Sequence, residues 1–324
     1  MNTIKYYRLL FFSIIFGVIM ILSACGNQNE TDDATPESDH EQKEDHAEIT
    51  LDSAMGEVTL PAGAKKVMAP FHEDALLALG VTPVAKWAIG ETVQDYLEAD
   101  LKEIPSIEWN LPLEQVLSHE PEILILENNM DGYEGTYEDY NKIAPTYVMN
   151  EETTVDWRKQ IEVFGKILGK ESSAEKALKD YEAKVSEAKQ QLHESIGDET
   201  VAAIWVVGNQ FFLFEHNRHS ADVAYNELGL NQPALVKELG DAESAQWNPL
   251  SVEKLSELDA DHVFLLALEG EQGIKTLEDS AVWQSTPAAQ NGQVYLLNDA
   301  SNWTNKGLKA SENTIDDLVK TLVK

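Results

Sequence analysis

The chain has 324 residues, with 57 Asp and Glu against 24 Lys and Arg, a formal charge of −33 and a single cysteine, Cys25. That balance argues against binding to nucleic acid or to an anionic lipid surface. One cysteine forms no internal disulfide and no multi-thiolate metal site.

Lys5 and Arg8 precede an apolar run from Leu9 to Leu22, too short for a comfortable membrane span and shaped like a secretory signal. It ends in Leu22-Ser23-Ala24-Cys25, followed by Gly26, a pattern that resembles a bacterial lipobox. A signal peptide over 1–24 is therefore expected, with Cys25 acylated as the first mature residue. Loss of Lys5 and Arg8 with no acid takes the formal charge from −33 to −35. Residues 25–47 are almost wholly polar or acidic after the cysteine. They cannot bury enough apolar surface to offset ordering entropy, which predicts a disordered acidic tether. His40 and His46 in it are read as spacer.

About 275 residues remain, enough for two ordinary domains. Glu48 to Pro61 reads as a hairpin turning at Met55-Gly56. Short apolar runs then alternate with amphipathic stretches, the signature of an α/β fold. Strands are predicted at Lys66–Pro70, Val84–Ile89, Ile123–Glu127 and Thr146–Met149, then at Val201–Val207, His262–Leu268 and Gln293–Leu297. Between the two sets, Ala174, Ala177, Leu178, Tyr181, Val185, Ala188 and Leu192 recur at helical spacing. A helix over 172–195, opened by a Ser172/Glu175 capping box, would span roughly 34 Å and could bridge two lobes. The expected division is an N-terminal lobe over 48–171 and a C-terminal lobe over 196–324.

The two halves echo each other. Glu108-Trp109-Asn110 precedes Glu114 and the run Ile123-Leu124-Ile125; Gln246-Trp247-Asn248 precedes Glu253 and the run Val263-Phe264-Leu265. Each reads as loop, short helix carrying a glutamate, then buried strand. Two similar α/β lobes joined by one rigid helix would leave a cleft between them.

The lipobox, Ile49-Thr50-Leu51-Asp52 with Gly56-Glu57-Val58, Asp74 to Val81, Ile143-Ala144-Pro145-Thr146 and the bridging helix together resemble the iron-siderophore and cobalamin group of periplasmic-type binding proteins. The resemblance runs from Glu48 to the C-terminus and is nearest to the ferric hydroxamate-binding lipoproteins of Gram-positive bacteria. It implies a shallow cleft between lobes and a ferric siderophore as ligand, bound without direct protein–iron bonds and with no cofactor. It also implies an ABC permease that docks on one glutamate from each lobe, here Glu114 and Glu253, and a membrane association through the lipid on Cys25. A monomer is expected.

A ferric siderophore has its metal saturated, so the protein must offer donors to ligand oxygens and apolar walls to the organic skeleton. Arginine suits paired oxygens, and the mature chain holds only Arg158 and Arg218. Arg158 is read as a solvated surface charge. Arg218 follows the strand Val201–Val207 and precedes a helix, where α/β folds place ligands; by its position it also matches an arginine that hydroxamate binders use. Phe71, His72, Trp87, Tyr133, Tyr137, Phe212 and Trp303 are candidate wall residues. His216 falls where relatives can carry an aromatic. Singly, each aromatic is more often core, and His72 fits a helix start equally well.

Enzyme signatures are missing: Gly165 to Lys170 is one residue short of a P-loop and Glu171 stands where Ser or Thr is required, so no enzyme is expected. Capture of cobalamin or haem is the alternative within the same fold; a surface hydrolase or an adhesion lipoprotein lies outside it. The acidic surface and single candidate cleft arginine favour hydroxamate or citrate-hydroxamate complexes over highly anionic ones.

Overall fold

The computed structural model describes residues 48–90, 94–242 and 246–323. The expected signal peptide over 1–24, Cys25 and the expected tether over 25–47 lie outside the described residues. The described residues open with β1 (Glu48–Ser53) and β2 (Gly56–Pro61), an antiparallel hairpin in which Ser53 pairs with Gly56. Gly56 takes a φ of +93°, a left-handed value that glycine adopts at little cost.

Next come β3 (Val67–Met68), α1 (Glu73–Ala78), β4 (Lys86–Ala88), α2 (Glu98–Leu101), β5 (Ser106–Glu108), α3 (Leu113–Ser118), β6 (Ile123–Leu126), α4 (Tyr137–Ile143), β7 (Thr146–Val148), α5 (Glu151–Val155) and α6 (Trp157–Ile167). β3, β6 and β7 form a parallel sheet in the order β3-β6-β7, and β4 pairs with β5 in a separate parallel ribbon. Strand residues alternate between faces: Ile123 and Ile125 join the main core, whereas Leu124 and Leu126 face a second core with Met68, Ile107 and Tyr140.

The bridging helix α7 runs Glu171–Ile196, 26 residues or about 39 Å. Ala174, Tyr181, Ala188 and Leu192 are buried along it. Its start differs from the expected capping box, since the N-cap is Lys170 and makes no side-chain cap bond. The reason lies in the turn before it. α6 ends with Gly169 N–H donating to Lys166 C=O and Lys170 N–H donating to Gly165 C=O, the paired bonds of a Schellman turn. This closure delivers the chain into α7 with Glu171 already helical. Ser172 then lies two residues too far inside to cap. A Cβ on Gly165 would stand 2.9 Å from Ala174 Cβ, so this glycine lets α6 and α7 approach.

The second half contains β8 (Val201–Val207), β9 (Gln210–Leu213), α8 (Ser220–Asp222) continued by a π-helical turn at Val223–Glu227, α9 (Ala234–Leu239), α10 (Val252–Leu255), β10 (His262–Leu266), α11 (Gln272–Asp279), α12 (Pro287–Asn291), β11 (Val294–Leu297) and α13 (Leu308–Leu322). Its sheet runs β11-β10-β8-β9, parallel except for β9. The expected two-half α/β architecture around a long helix is therefore present, with β5 and β9 added.

The halves are also joined by side chains. Asp74 in α1 accepts hydrogen bonds from Lys309 N–H and Ala310 N–H, both 3.0 Å, at the start of α13. Tyr96 O–H donates to the same carboxylate at 3.0 Å, and Tyr96 N–H donates to Ser301 Oγ at 2.9 Å. A Cβ on Gly307 would lie 2.4 Å from Asp74 Cγ. Burial raises the Asp74 pKa, and the two amide donors oppose that rise.

Candidate ligand-binding site

In the first half, the chain leaving β3 turns at Phe71, whose φ of +68° is unusual for a bulky residue. Its carbonyl accepts from Gln94 Nε2 at 3.0 Å. The Phe71 ring is 38 % exposed and meets Trp87 edge-on at 5.1 Å. Trp87 is anchored twice: its backbone N–H donates to Glu73 Oε1 at 2.7 Å, and its indole N–H donates to the Trp109 carbonyl at 3.2 Å. Ile89 and Trp109 are exposed as well. Tyr133 packs edge-on against Tyr140 at 6.2 Å. Tyr137, half-buried, is the first residue of α4.

His72 is only 6 % exposed. Its ring nitrogens lie 3.2 Å from Gln160 Oε1 and 3.2 Å from Glu127 Oε1, so it braces α6 against the end of β6 and has little surface to offer. That hydrogen bond from His72 lowers the Glu127 pKa. Glu73, beneath Trp87, is fully buried, and burial raises its pKa to about 8. Its Oε2 has no hydrogen-bond partner among the described residues.

In the second half, β9 returns beside β8 as far as Ile204, and Phe214 N–H donates to Ala203 C=O at 3.1 Å. The loop that carries Arg218 therefore emerges level with the middle of β8. It does not extend beyond that strand's C-terminal end, where the sequence had placed it. Arg218 is buried and forked onto Glu215: Nε donates to Oε2, and Nη2 donates to Oε1 at 3.0 Å. Nη2 also donates to the Gln246 carbonyl at 3.1 Å. The guanidinium lies 4.4 Å from the Trp247 ring centroid, a cation–π distance. Around Trp247 stand Trp205 at 5.3 Å, Phe214 at 4.9 Å, Phe212 at 6.1 Å and a stacked His219 at 5.8 Å. Burial lowers the His219 pKa to about 4, with Lys306 and Arg218 adding to the effect. Arg218 and Glu215 open onto a cavity of about 400 Å³ that Asp241, Gln246 and Asn248 also line. His216 Nδ1 stands 3.4 Å from Asp241.

Two further expectations change. Trp303 is 1 % exposed, stacks on Phe264 at 5.2 Å and donates its indole N–H to Asp317 at 2.9 Å. Stacked on β10 in this way, the indole fills core and presents no wall. Arg158 is not a free surface charge: it donates to Glu227 at 2.8 Å and lies 4.2 Å over Trp157. The sequence reading missed Glu215, Trp205 and Trp247 as members of the site. One signal was there to find Trp247, because the internal echo pairs it with Trp109, whose carbonyl holds Trp87 in the other wall. Glu114 and Glu253 are each the second residue of their helix, α3 and α10, and both are exposed.

Two aromatic surfaces, one per half, with a buried guanidinium–carboxylate pair beside the second, are suited to holding a bulky organic solute. Among the described residues, no group of three or more His, Cys, Asp or Glu side chains is placed to hold a metal ion. Two α/β halves on a single long helix define the class of solute-binding proteins. A family model described as "Periplasmic binding protein" matches residues 68–300, and the chain belongs to that family. Iron(3+)-hydroxamate-binding protein YxeB of Bacillus subtilis is 24 % identical over 316 residues, covering 95 % of this chain and 94 % of the relative. Among solved structures, Staphylococcus aureus SirA complexed with staphyloferrin B has a TM-score of 0.67 at 23 % identity, over 85 % of this chain and 98 % of the other. FhuD2 of Staphylococcus aureus with bound ferrioxamine B has a TM-score of 0.65 at 21 % identity, over 80 % and 98 %. Family and relatives are binding proteins rather than enzymes.

Proposed function

We propose that this chain is the extracellular, lipid-anchored binding protein of an ABC importer, capturing a ferric siderophore and delivering it to the permease. The observation that carries the reading is the pair of aromatic surfaces, Phe71 with Trp87 and Trp205 with Trp247, one on each half of a periplasmic-binding-protein fold. In this reading the two surfaces flank a common cleft, and Tyr137, Phe212 and His216 border it. The iron is cargo, enclosed by siderophore oxygens, so the walls need to match the organic shell rather than ligate metal. The names of relatives support hydroxamate and citrate ligands alike. Cys25 supplies the anchor, and no described helix is long and apolar enough to cross a membrane. Glu114 and Glu253 form the docking pair.

Tryptophan-fluorescence titration against ferric siderophores tests the proposal. Saturable quenching by at least one ferric complex is expected. Absorbance scans with cobalamin and haem would overturn it if one of those ligands bound while every ferric siderophore failed.

A further inference from the structure

The acidic partner of Arg218 has a consequence for what the site accepts. Arg218 is the one arginine of the second wall, yet both Nε and Nη2 are engaged by Glu215, and the two side chains are only 4 % and 12 % exposed. A buried fork of this kind presents a neutral pair to anything approaching along the cavity. Among the described residues, the other carboxylate lining that cavity is Asp241, and His216 Nδ1 stands 3.4 Å from it. On the first wall Glu127 stands 3.2 Å from His72, a contact that favours its ionised form.

Building on the siderophore reading above, we infer that Glu215 is a charge-selecting residue: by occupying Arg218 it restricts the ligand to ferric complexes of neutral or positive net charge. An anionic complex can reach the guanidinium only by displacing a buried carboxylate or by standing beside it. Displacement strands the Glu215 charge in a desolvated site, and juxtaposition adds like-charge repulsion. A cationic or neutral trihydroxamate meets neither penalty. It stacks on Trp247 and Trp205 and leaves the Glu215–Arg218 fork closed.

The test is a fluorescence titration of the full chain with ferrioxamine B, a cationic trihydroxamate, with neutral ferrichrome, and with anionic ferric dicitrate. The wild-type order is expected to be ferrioxamine B or ferrichrome well ahead of ferric dicitrate. Glu215→Gln keeps an oxygen acceptor for Arg218 and removes the charge. It should shift the ratio of the dicitrate to the trihydroxamate dissociation constant by about tenfold or more toward dicitrate. Adding Arg218→Met to Glu215→Gln should abolish that shift, because the gain depends on the freed guanidinium. An unchanged ratio in folded Glu215→Gln overturns the inference while leaving siderophore capture intact. So does a wild-type preference for ferric dicitrate, which needs no variant to read. Failure of all three complexes to bind wild type removes the siderophore reading itself, and this inference with it.

Discussion

Arg218 lies 4.4 Å from the Trp247 ring and is forked onto Glu215, whereas Trp303 stacks on Phe264 inside the core. Arg218 was legible by rarity, but its surroundings were not: Glu215, Trp247 and the Gln246 carbonyl reach it from both sides of a fold that local pattern does not encode. Trp303 shows the opposite failure, an aromatic in a promising loop that turns out to complete the core. The two tryptophans should therefore separate experimentally. Trp247→Phe is expected to remove much of the ligand-induced quenching, whereas Trp303→Phe should retain it and lose about 1 kcal/mol of stability with the Asp317 hydrogen bond. Equal quenching losses in the two variants would contradict this assignment. Glu73 gives a pH prediction. Burial raises its pKa from 4.5 to about 8, so the folded state holds a proton that the unfolded chain has released. Its contribution to stability is full below pH 4.5 and declines as pH rises toward 8. Urea midpoints should fall between about pH 5 and about pH 8.5 in wild type, and fall less in Glu73→Gln; parallel curves would show that Glu73 is not the group responsible.

Elements were easier to read than contacts, because hydrophobic period is local. The β1–β2 hairpin, seven of the strands and the bridging helix follow from apolar runs and helical spacing. β9 was missed although Gly208-Asn209 offers a tight-turn signal between two apolar runs. The capping box failed because the preceding Schellman turn, set by Gly169, fixes where α7 begins. The start of α13 could not have been foreseen, since its cap is Asp74, 235 positions away from Lys309. Asp74→Ala should lower stability by about 1–2 kcal/mol, as loss of a helix cap does. Gly307→Ala should cost more, because its Cβ meets the carboxylate at 2.4 Å. The double variant should be less unstable than the sum, which chemical denaturation of all four proteins would reveal as a coupling energy. Simple additivity would mean that the two residues do not share this contact.

At the scale of the whole molecule, the internal echo sets Glu114 and Glu253 at the same place on two short helices, both exposed. Glu114→Ala with Glu253→Ala should leave ligand affinity unchanged and reduce uptake in cells that rely on this importer, since charge pairs across such a contact set orientation and association rate. Uptake at the wild-type rate, with equal protein levels, would remove the docking assignment. Cys25→Ala should release the protein from the membrane fraction with binding retained; retention in that fraction would point to a different anchor.

The seam between the halves bears on how occupancy could be reported. α7 crosses as one unbroken 26-residue helix, and Asp74 ties α1 to the first turn of α13 alongside the Tyr96–Ser301 bond. Such bracing leaves no slack for a wide hinge. A biosensor built from this protein with a donor and an acceptor dye, one on each half, would change its energy transfer little on loading. A single environment-sensitive dye set near Trp247 would be the informative choice, because under the proposed function the signal there would come from contact with the cargo and not from movement of the frame.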